Sequence, residues 1–436
     1  MPRIKNLLII LADDQGYGDA GCFGAHDLDT PRLDQLSRQG ARCTQWYAGG
    51  AYCSPSRASL LTGLEADRAG VRNNVGVEDH CVGMRRDRPT MPELLRDAGY
   101  QTLMSGKWHL GHRPGCRPHD RGFEDWFGFL YGCVDYYSHI FYWLMADENR
   151  PAPRHDLWHN DQPVHTPGRY VVDLITQRAV DYLRRAKQDG RPFFLYLPCN
   201  APHYPMHAPP QYARDLGHLS EARRLTATMM RVFDHAVGTI LDELTRLQLD
   251  EETCVVVSSD HGPSREPRNW PDGRDAPFEG GFTAGLRGSK GQLYEGGLRV
   301  PTIWRWPGVT TPGSTVDTPM HHHDVLPTIL AALGHQPRDA CDGLDVAPWL
   351  AGQRHELTRP LRWTNARQQA VRLEDWKLIA DDTGRAELYN LRHDPAEQHD
   401  LADTHRKTLR RLADHLPVSD APHRARLRDR YPLDRS

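Results

Sequence analysis

The sequence predicts an α/β fold in which a large sheet is sandwiched by helices and followed by a smaller C-terminal antiparallel sheet plus helix. Three observations carry this. Short apolar runs rich in β-branched residues, at 6–12, 101–105, 193–198, 253–258 and 300–305, read as buried strands. Helical patterns alternate with them through the first three quarters of the chain, which is the order of an α/β protein. From about residue 353 the character changes to short alternating runs separated by turn residues.

The run 6–12 (NLLIILA) has no polar residue after Asn6, as a strand covered on both faces requires. Val172, Ile175, Ala179 and Leu183 recur at helical spacing before the strand at 193–198. Leu225, Met229, Val232, Ala236, Ile240, Leu244 and Leu247 do the same before the strand at 253–258. Two stretches, 113–162 and 263–292, read as long loops rich in Gly, Trp, Tyr and Asp, and loops of that size usually line a site. In the last part, 361–365, 369–372, 376–380 and 386–391 read as strands and 403–415 as a closing helix. The final twenty residues, with Arg424, Arg426, Arg428 and Arg430, read as a solvated tail. The expected organisation is therefore a catalytic unit over 1–352 and a small antiparallel unit over 353–436.

Composition narrows the function. The 436 residues carry 54 basic and 57 acidic side chains, and a net charge of -3 provides no global field for nucleic acid or an anionic membrane. Any anionic ligand must be gripped locally. Only six of the basic residues are lysine (5, 107, 187, 290, 377 and 407), so each lysine invites a specific explanation. The nine cysteines include no C-x-x-C pair, which argues against a zinc ribbon or a disulfide framework. The apolar run near the start is too short for a signal-peptide core, so the chain as written is expected in the cytoplasm, or in the periplasm or outside the cell if a leader precedes it.

Chemistry-bearing residues gather at strand ends. Asp13 and Asp14 close the first strand, and Asp260 and His261 follow the strand at 253–258. Ligands of open α/β sheets bind beyond the carboxyl ends of strands. Three carboxylates meeting there would repel one another, so either a divalent cation joins them or Asp13 and Asp260 merely cap helices. Cys53 opens the run CSPSRASLLTG, where Pro55 and the serines predict a helix N-terminus, a setting for an anion. A lone buried cysteine is otherwise packing.

That run resembles the sulfatase signature, Cys-x-Pro-x-Arg followed by Ala/Ser-x-Leu-x-Thr-Gly. The resemblance extends over most of the chain. It includes LADDQGYGD at 11–19, GKWHLG at 106–111, APH at 201–203, SDHG at 259–262, GSKG at 288–291, YEGGLRVP at 294–301, and ELYNL with Asp394-Pro395 near the end. The resemblance implies an alkaline phosphatase-like fold with a large mixed, mostly parallel sheet. It also implies that Cys53 is oxidised to formylglycine by a formylglycine-generating enzyme, the hydrate serving as nucleophile. Carried over by position, it makes Asp13, Asp14, Asp260 and His261, with the converted Cys53, ligands of one divalent cation. Calcium is expected first, with magnesium and manganese as alternatives. Many sulfatases have asparagine where this chain has His261, and a nitrogen donor makes manganese more competitive. Arg57 and Lys107 would hold the hydrate and the sulfate. His203, helped by Lys290, would protonate the departing alcohol, and His109 would deprotonate the remaining hydroxyl. The triplet His321-His322-His323 precedes DVLPT, which resembles a structural helix start.

The implied function is hydrolysis of organic sulfate monoesters, on a carbohydrate or an aryl group. The segment GFLYG at 128–132 with VDYYSH at 134–139 is similar to a loop of the arylsulfatase B and N-acetylgalactosamine sulfatase group. Trp46, Tyr52, Trp108, Tyr136 and His139 either stack on a sugar or aryl ring or anchor the long loops. Two alternatives stand beside this: a phosphonate monoester or phosphodiester hydrolase of the same superfamily, and an anion-binding protein if Cys53 stays unconverted. Partners are thus a sulfated small molecule or saccharide and the modifying enzyme, with no nucleic acid and no membrane. The sequence does not speak to oligomeric state.

Overall fold

The computed structural model describes residues 5–76, 83–141, 153–266, 278–335, 341–417, 426–427 and 430–431. A ten-stranded sheet forms the middle of the molecule. Its core is five adjacent parallel strands, in the order Thr253–Ser259, Asn6–Ala12, Phe193–Pro198, Gln101–Lys107 and Asp125–Phe129. Antiparallel pairings at both margins, by Thr302–Arg305 on one side and Trp158–His159 on the other, make the sheet mixed.

The central strand explains the layering. Its odd residues Leu7, Ile9 and Leu11 enter one apolar core and its even residues Leu8, Ile10 and Ala12 enter the other, all essentially unexposed. Alternation in direction with no alternation in polarity is what a strand buried on both faces demands. Helices Pro31–Gln39, Val171–Asp189 and Glu221–Arg246 cover the face of the even residues through side chains such as Leu36, Ile175 and Ile240. Helices Cys53–Thr62, Met91–Asp97 and Val325–Ala332 cover the other.

The four strands Leu361–Thr364, Gln368–Leu373, Trp376–Asp381 and Ala386–Asn390 form an antiparallel meander. One face packs on the helix Arg406–Ala413 through Val371, Leu378 and Leu388. The other face, with Ala370, Ile379 and Tyr389, packs on Tyr47, Leu293 and Leu298 of the large unit.

Several elements differ from the sequence expectation. The strand expected at 101–105 continues to Lys107, and the one expected from 300 begins at Thr302, after Pro301, which has no N–H for the ladder. The closing helix is shorter than 403–415. The stretch 113–162, read as a loop, contains the fifth parallel strand Asp125–Phe129 and two short marginal strands. Gly128 hid it. At φ 143° it lies so near the neighbouring strand that a Cβ would sit 1.9 Å from the Gly106 carbonyl oxygen, so the strand cannot carry a continuous apolar run. The tail is not simply solvated either: Leu427 and Tyr431 are buried against the small sheet, and the Tyr431 hydroxyl bonds both backbone groups of Ala386. Arg426 and Arg430 are exposed, while Arg424 and Arg428 lie outside the described residues. Of the nine cysteines, eight are described and all eight are free thiols; Cys81 lies outside the described residues. No described helix is long and apolar enough to cross a membrane.

Leu195, unexposed in the strand Phe193–Pro198, sits in the layer that sets the height of the strand ends. Leu195→Ala should therefore lower stability by about 2–5 kcal/mol, read as a shift in the urea unfolding midpoint, and an unshifted midpoint would contradict this packing.

Candidate active site

Four neighbouring parallel strands deliver every candidate group that comes from the sheet. Asp260 and His261 follow the first strand in spatial order, Asp13 and Asp14 the second, His203 the third, and Lys107 with His109 end the fourth. The register fixes their common height, since Ala12 pairs with Ser259 and Leu11 with Pro198. Backbone bonds hold the emerging chains together: Asp13 N–H donates to the Ala201 carbonyl at 3.2 Å and Asp260 N–H to the Ala12 carbonyl at 3.0 Å. Asp14 turns through the left-handed region at φ 70°, and its N–H donates to Asp260 Oδ1 at 3.2 Å.

The helix Cys53–Thr62 supplies the rest. All ten of its residues are buried, with Cys53 as its first residue. Arg57 follows one turn later and so shares that face. Cys53 Sγ lies 3.2 Å from His261 Nε2, 3.3 Å from Lys107 Nζ and 3.6 Å from Asp13 Oδ1. Arg57 donates to Asp260 Oδ2 through Nη2 at 2.9 Å and Nε at 3.2 Å, and to the Lys107 carbonyl at 3.0 Å. Lys107 Nζ meets Asp13 Oδ2 at 2.5 Å. Lys290 Nζ lies 2.9 Å from Asp14 Oδ1 and 3.1 Å from His203 Nε2.

Burial governs the electrostatics. It raises the cost of ionising the Cys53 thiol, yet Lys107 and Lys290 outweigh it and hold the thiol well below its ordinary value. Asp13 is pushed up by burial and by Asp260, but Lys107, His203 and Arg57 bring it below the usual carboxylate range. Asp260 is likewise low, burial being overcome by His261, Arg57 and Lys107. His109 goes the other way: burial drives it down to about 4 against the pull of Cys53. Its Nδ1 is buried with no hydrogen-bond partner, and its ring packs over Gly132, where a Cβ would come within 2.8 Å.

The donor set fits a divalent cation. Ligand atoms of Asp13, Cys53, Asp260 and His261 all lie within 4.8 Å of one another, and Asp14 belongs to the overlapping group with Asp13, Cys53 and His203. His261 Nδ1 lies 2.8 Å from the Gly262 carbonyl, which only an N–H can satisfy. Its Nε2 faces Cys53, Asp14 and Asp260, which against burial raise the imidazole to about 9; on giving up its Nε2 proton the ring has the tautomer of a metal-bound imidazole. Three carboxylates here face three permanent cations, Arg57, Lys107 and Lys290. Adding a divalent cation to these charges leaves a surplus of two, enough for the single charge of a sulfate monoester and for the second that develops as sulfate is released.

All ten residues singled out for the site converge, but the aromatic group mostly does not serve it. Trp46, Trp108, Tyr136 and His139 are each unexposed and cannot stack on an outside ring. Trp46 packs on Trp304, Trp108 Nε1–H bonds the Cys116 carbonyl, and His139 Nε2 pairs with the Arg169 carbonyl. The Tyr136 hydroxyl instead lies 2.8 Å from both the Asn200 and the His203 carbonyls, its one proton shared between them, and so fixes the turn that carries His203. Only Tyr52 of that group is partly exposed. Within the histidine triplet, His322 is structural as expected but close to the site: its ring bridges Ser56 of the nucleophile helix and Ser258 of the strand Thr253–Ser259, at 3.0 and 3.2 Å. Ser54 and Tyr204 are site neighbours the sequence did not single out. Ser54 Oγ donates to the His109 carbonyl at 2.7 Å, and the Tyr204 ring lies 4.0 Å from that of His203 and 5.4 Å from Lys290 Nζ. Ser54 stood within the matched run and Tyr204 beside His203, so proximity in sequence was the available signal.

Comparison with known proteins adds independent information. The sulfatase family profile matches residues 5–335, and a profile described as N-sulphoglucosamine sulphohydrolase, C-terminal, matches 289–417. The chain is 33% identical over 407 residues to arylsulfatase G of Rattus norvegicus, covering 86% of this chain and 75% of that protein. It is 32% identical over 375 residues to N-acetylgalactosamine-6-sulfatase of Homo sapiens, covering 83% and 68%. Among solved structures it resembles Ps i-CgsB in complex with k-i-k-neocarrahexaose, at 28% identity and a TM-score of 0.84, over 95% of this chain and 92% of that one.

If the carboxylates hold a cation, Asp14→Asn and Asp260→Asn should each purify with less than about a tenth of the metal bound by the parent protein, because each removes a charge that compensates the ion. Elemental analysis of dialysed protein measures this, and full occupancy in both variants would exclude the site.

Proposed function

The chain belongs to the sulfatase family and hydrolyses sulfate esters, and we propose that its substrates are sulfated saccharides and that Cys53, once oxidised, is its nucleophile. Family membership implies formylglycine and a divalent cation; the assignment of calcium to this site belongs to the proposal, and its three carboxylates favour an oxygen-seeking ion. One observation carries the reading. Cys53 Sγ stands at 3.2–3.6 Å from an imidazole, an ammonium and a carboxylate supplied by three different strands. A buried cysteine kept only for packing has no need of such neighbours.

Asp13, Asp14, Asp260 and His261 would hold the cation together with residue 53. When present, the cation supplies Lewis-acid activation and the oxidised residue supplies the attacking hydroxyl. The protein's own groups do the remainder. Lys107 Nζ and the Arg57 guanidinium lie around residue 53, where the sulfuryl oxygens must sit for attack, and balance their charge. His203 and Lys290 face the same region from the other side, 3.1 Å apart. As the S–O bond breaks, the electron pair stays with the alcohol oxygen, and its proton comes from the Lys290–His203 pair, in which His203 Nε2 accepts from the ammonium when the ring is neutral and donates when it is an imidazolium. His203 Nδ1, 2.6 Å from the Tyr204 carbonyl, is held as a donor there, which keeps the ring oriented. His109, with an unpartnered Nδ1 in the same buried space, is placed to take a proton from a hydroxyl on residue 53. In sum, one water is consumed and the products are the alcohol, sulfate and a proton.

The preference for saccharides is supported by the relatives, one named N-acetylgalactosamine-6-sulfatase and one solved in complex with k-i-k-neocarrahexaose. It is also supported by the site, because a dedicated acid for the leaving oxygen matters for poorly acidic alcohols and little for activated phenols.

Cys53→Ala should fold and lose at least about a thousandfold in sulfate-ester turnover, measured against the parent on the same substrate. Turnover retained in a clean preparation would refute the nucleophile. His203→Ala should lower kcat/KM on a sugar sulfate by about 10²–10⁴, and far less on the sulfate ester of a nitrophenol. An equal penalty on both would mean that His203 is not the acid.

A further inference from the structure

Lys290 sits on a turn held on its N–H side, where Lys290 N–H donates to the Pro263 carbonyl at 2.9 Å. Gly288 and Gly291 flank Ser289 and Lys290 at φ 88° and 86°, which closes the turn but contributes no side chain to anchor it. Yet the Lys290 ammonium must meet both Asp14 and His203, and a four-carbon stem reaches a fixed point only if its backbone is fixed.

The small C-terminal sheet adds a hold on the carbonyl side of the turn. Asn365 Nδ2 donates to the Gly291 carbonyl at 3.1 Å. The amide cannot turn away, because Asn365 Oδ1 accepts the N–H groups of Arg367 and Gln368 at 3.0 and 2.8 Å within its own turn. Gly291 N–H in turn donates to the Ala51 carbonyl at 2.7 Å, two residues before Cys53, and Trp363 Nε1–H donates to the Ala48 carbonyl at 2.8 Å. Further along, a buried clamp fastens the other end of the segment. Lys377 Nζ bridges Glu295 and Glu397, each at 2.9 Å, and Glu295 N–H donates to Glu397 Oε2 at 2.7 Å; all three side chains are unexposed.

We propose that the small C-terminal sheet is part of the catalytic apparatus and that Asn365 is a positioning residue that sets Lys290 against His203. This rests on the role given to Lys290 above. Asn365 touches neither the sulfate-facing groups nor the nucleophile; it acts through the Gly291 carbonyl.

The test uses Asn365→Asp, which keeps the oxygen that accepts the turn's two N–H groups but removes the donor to Gly291. Rates are measured on a monosaccharide sulfate and on a nitrophenyl sulfate, in the parent, Asn365→Asp, Lys290→Ala and the double variant, with melting temperatures recorded for each. Asn365→Asp should lower kcat on the sugar ester by about tenfold, spare the nitrophenyl ester, and add no loss in the Lys290→Ala background. Losses that multiply in the double variant, or that fall equally on both esters, overturn the positioning role while leaving Lys290 in place. Lys290→Ala turning over both esters at the parent rate overturns the reading of Lys290 and this inference with it. Lys377→Met gives a second arm: in protein that still folds it should reproduce the selective loss on the sugar ester, and an equal loss on both esters counts against the sheet's role.

Discussion

Three buried carboxylates at the carboxyl ends of adjacent parallel strands are the constraint to which the rest of the molecule answers. Asp13 and Asp260 are unexposed and Asp14 nearly so. Ionised groups so far from water are tolerated only when opposite charge is brought to them. Arg57, Lys107 and Lys290 bring it from a helix, a strand end and a turn, which is why three distant stretches of chain meet at one point. The divalent cation that the family implies would complete the set, and the surplus positive charge it would create is what an anionic ester requires.

The sheet turns this local demand into geometry. Because four neighbouring strands run parallel and in register, their ends emerge on one edge, and residues more than 200 positions apart arrive within hydrogen-bonding distance, as Asp14 and Asp260 do. The two apolar cores that cover the sheet fix the strands' height, so packing and catalysis are coupled through the same backbone. The groups that hold the reactive side chains lie one contact further out. Tyr136 secures the His203 turn, Ser54 ties His109 to the nucleophile helix, and His322 braces that helix against the strand that ends at Asp260.

What could be read from the chain, and what could not, divides along the same line. The strand at 6–12 and the helix before 253 announce themselves by unbroken or periodic hydrophobicity, and Cys53, Lys107 and Lys290 by motif and by the scarcity of lysine. The strand Asp125–Phe129 did not, because the close approach at Gly128 interrupts its pattern. For Tyr136 and Trp108 the sequence left ring stacking and loop anchoring equally open, because composition does not reveal which way rings turn; here they turn inward. Lys377 was conspicuous as one of six lysines, yet its meaning lies in Glu295, 82 positions away, and no local pattern encodes that pairing.

The central claim is that residue 53 works in its oxidised form, and the mass of the peptide that contains it tests this most directly. Conversion of the cysteine to the aldehyde lowers that mass by about 18 Da. Across preparations made with and without the modifying enzyme, the converted fraction should rise in proportion to sulfate-ester turnover. Full turnover in protein whose peptide retains the mass of unmodified cysteine would contradict the account.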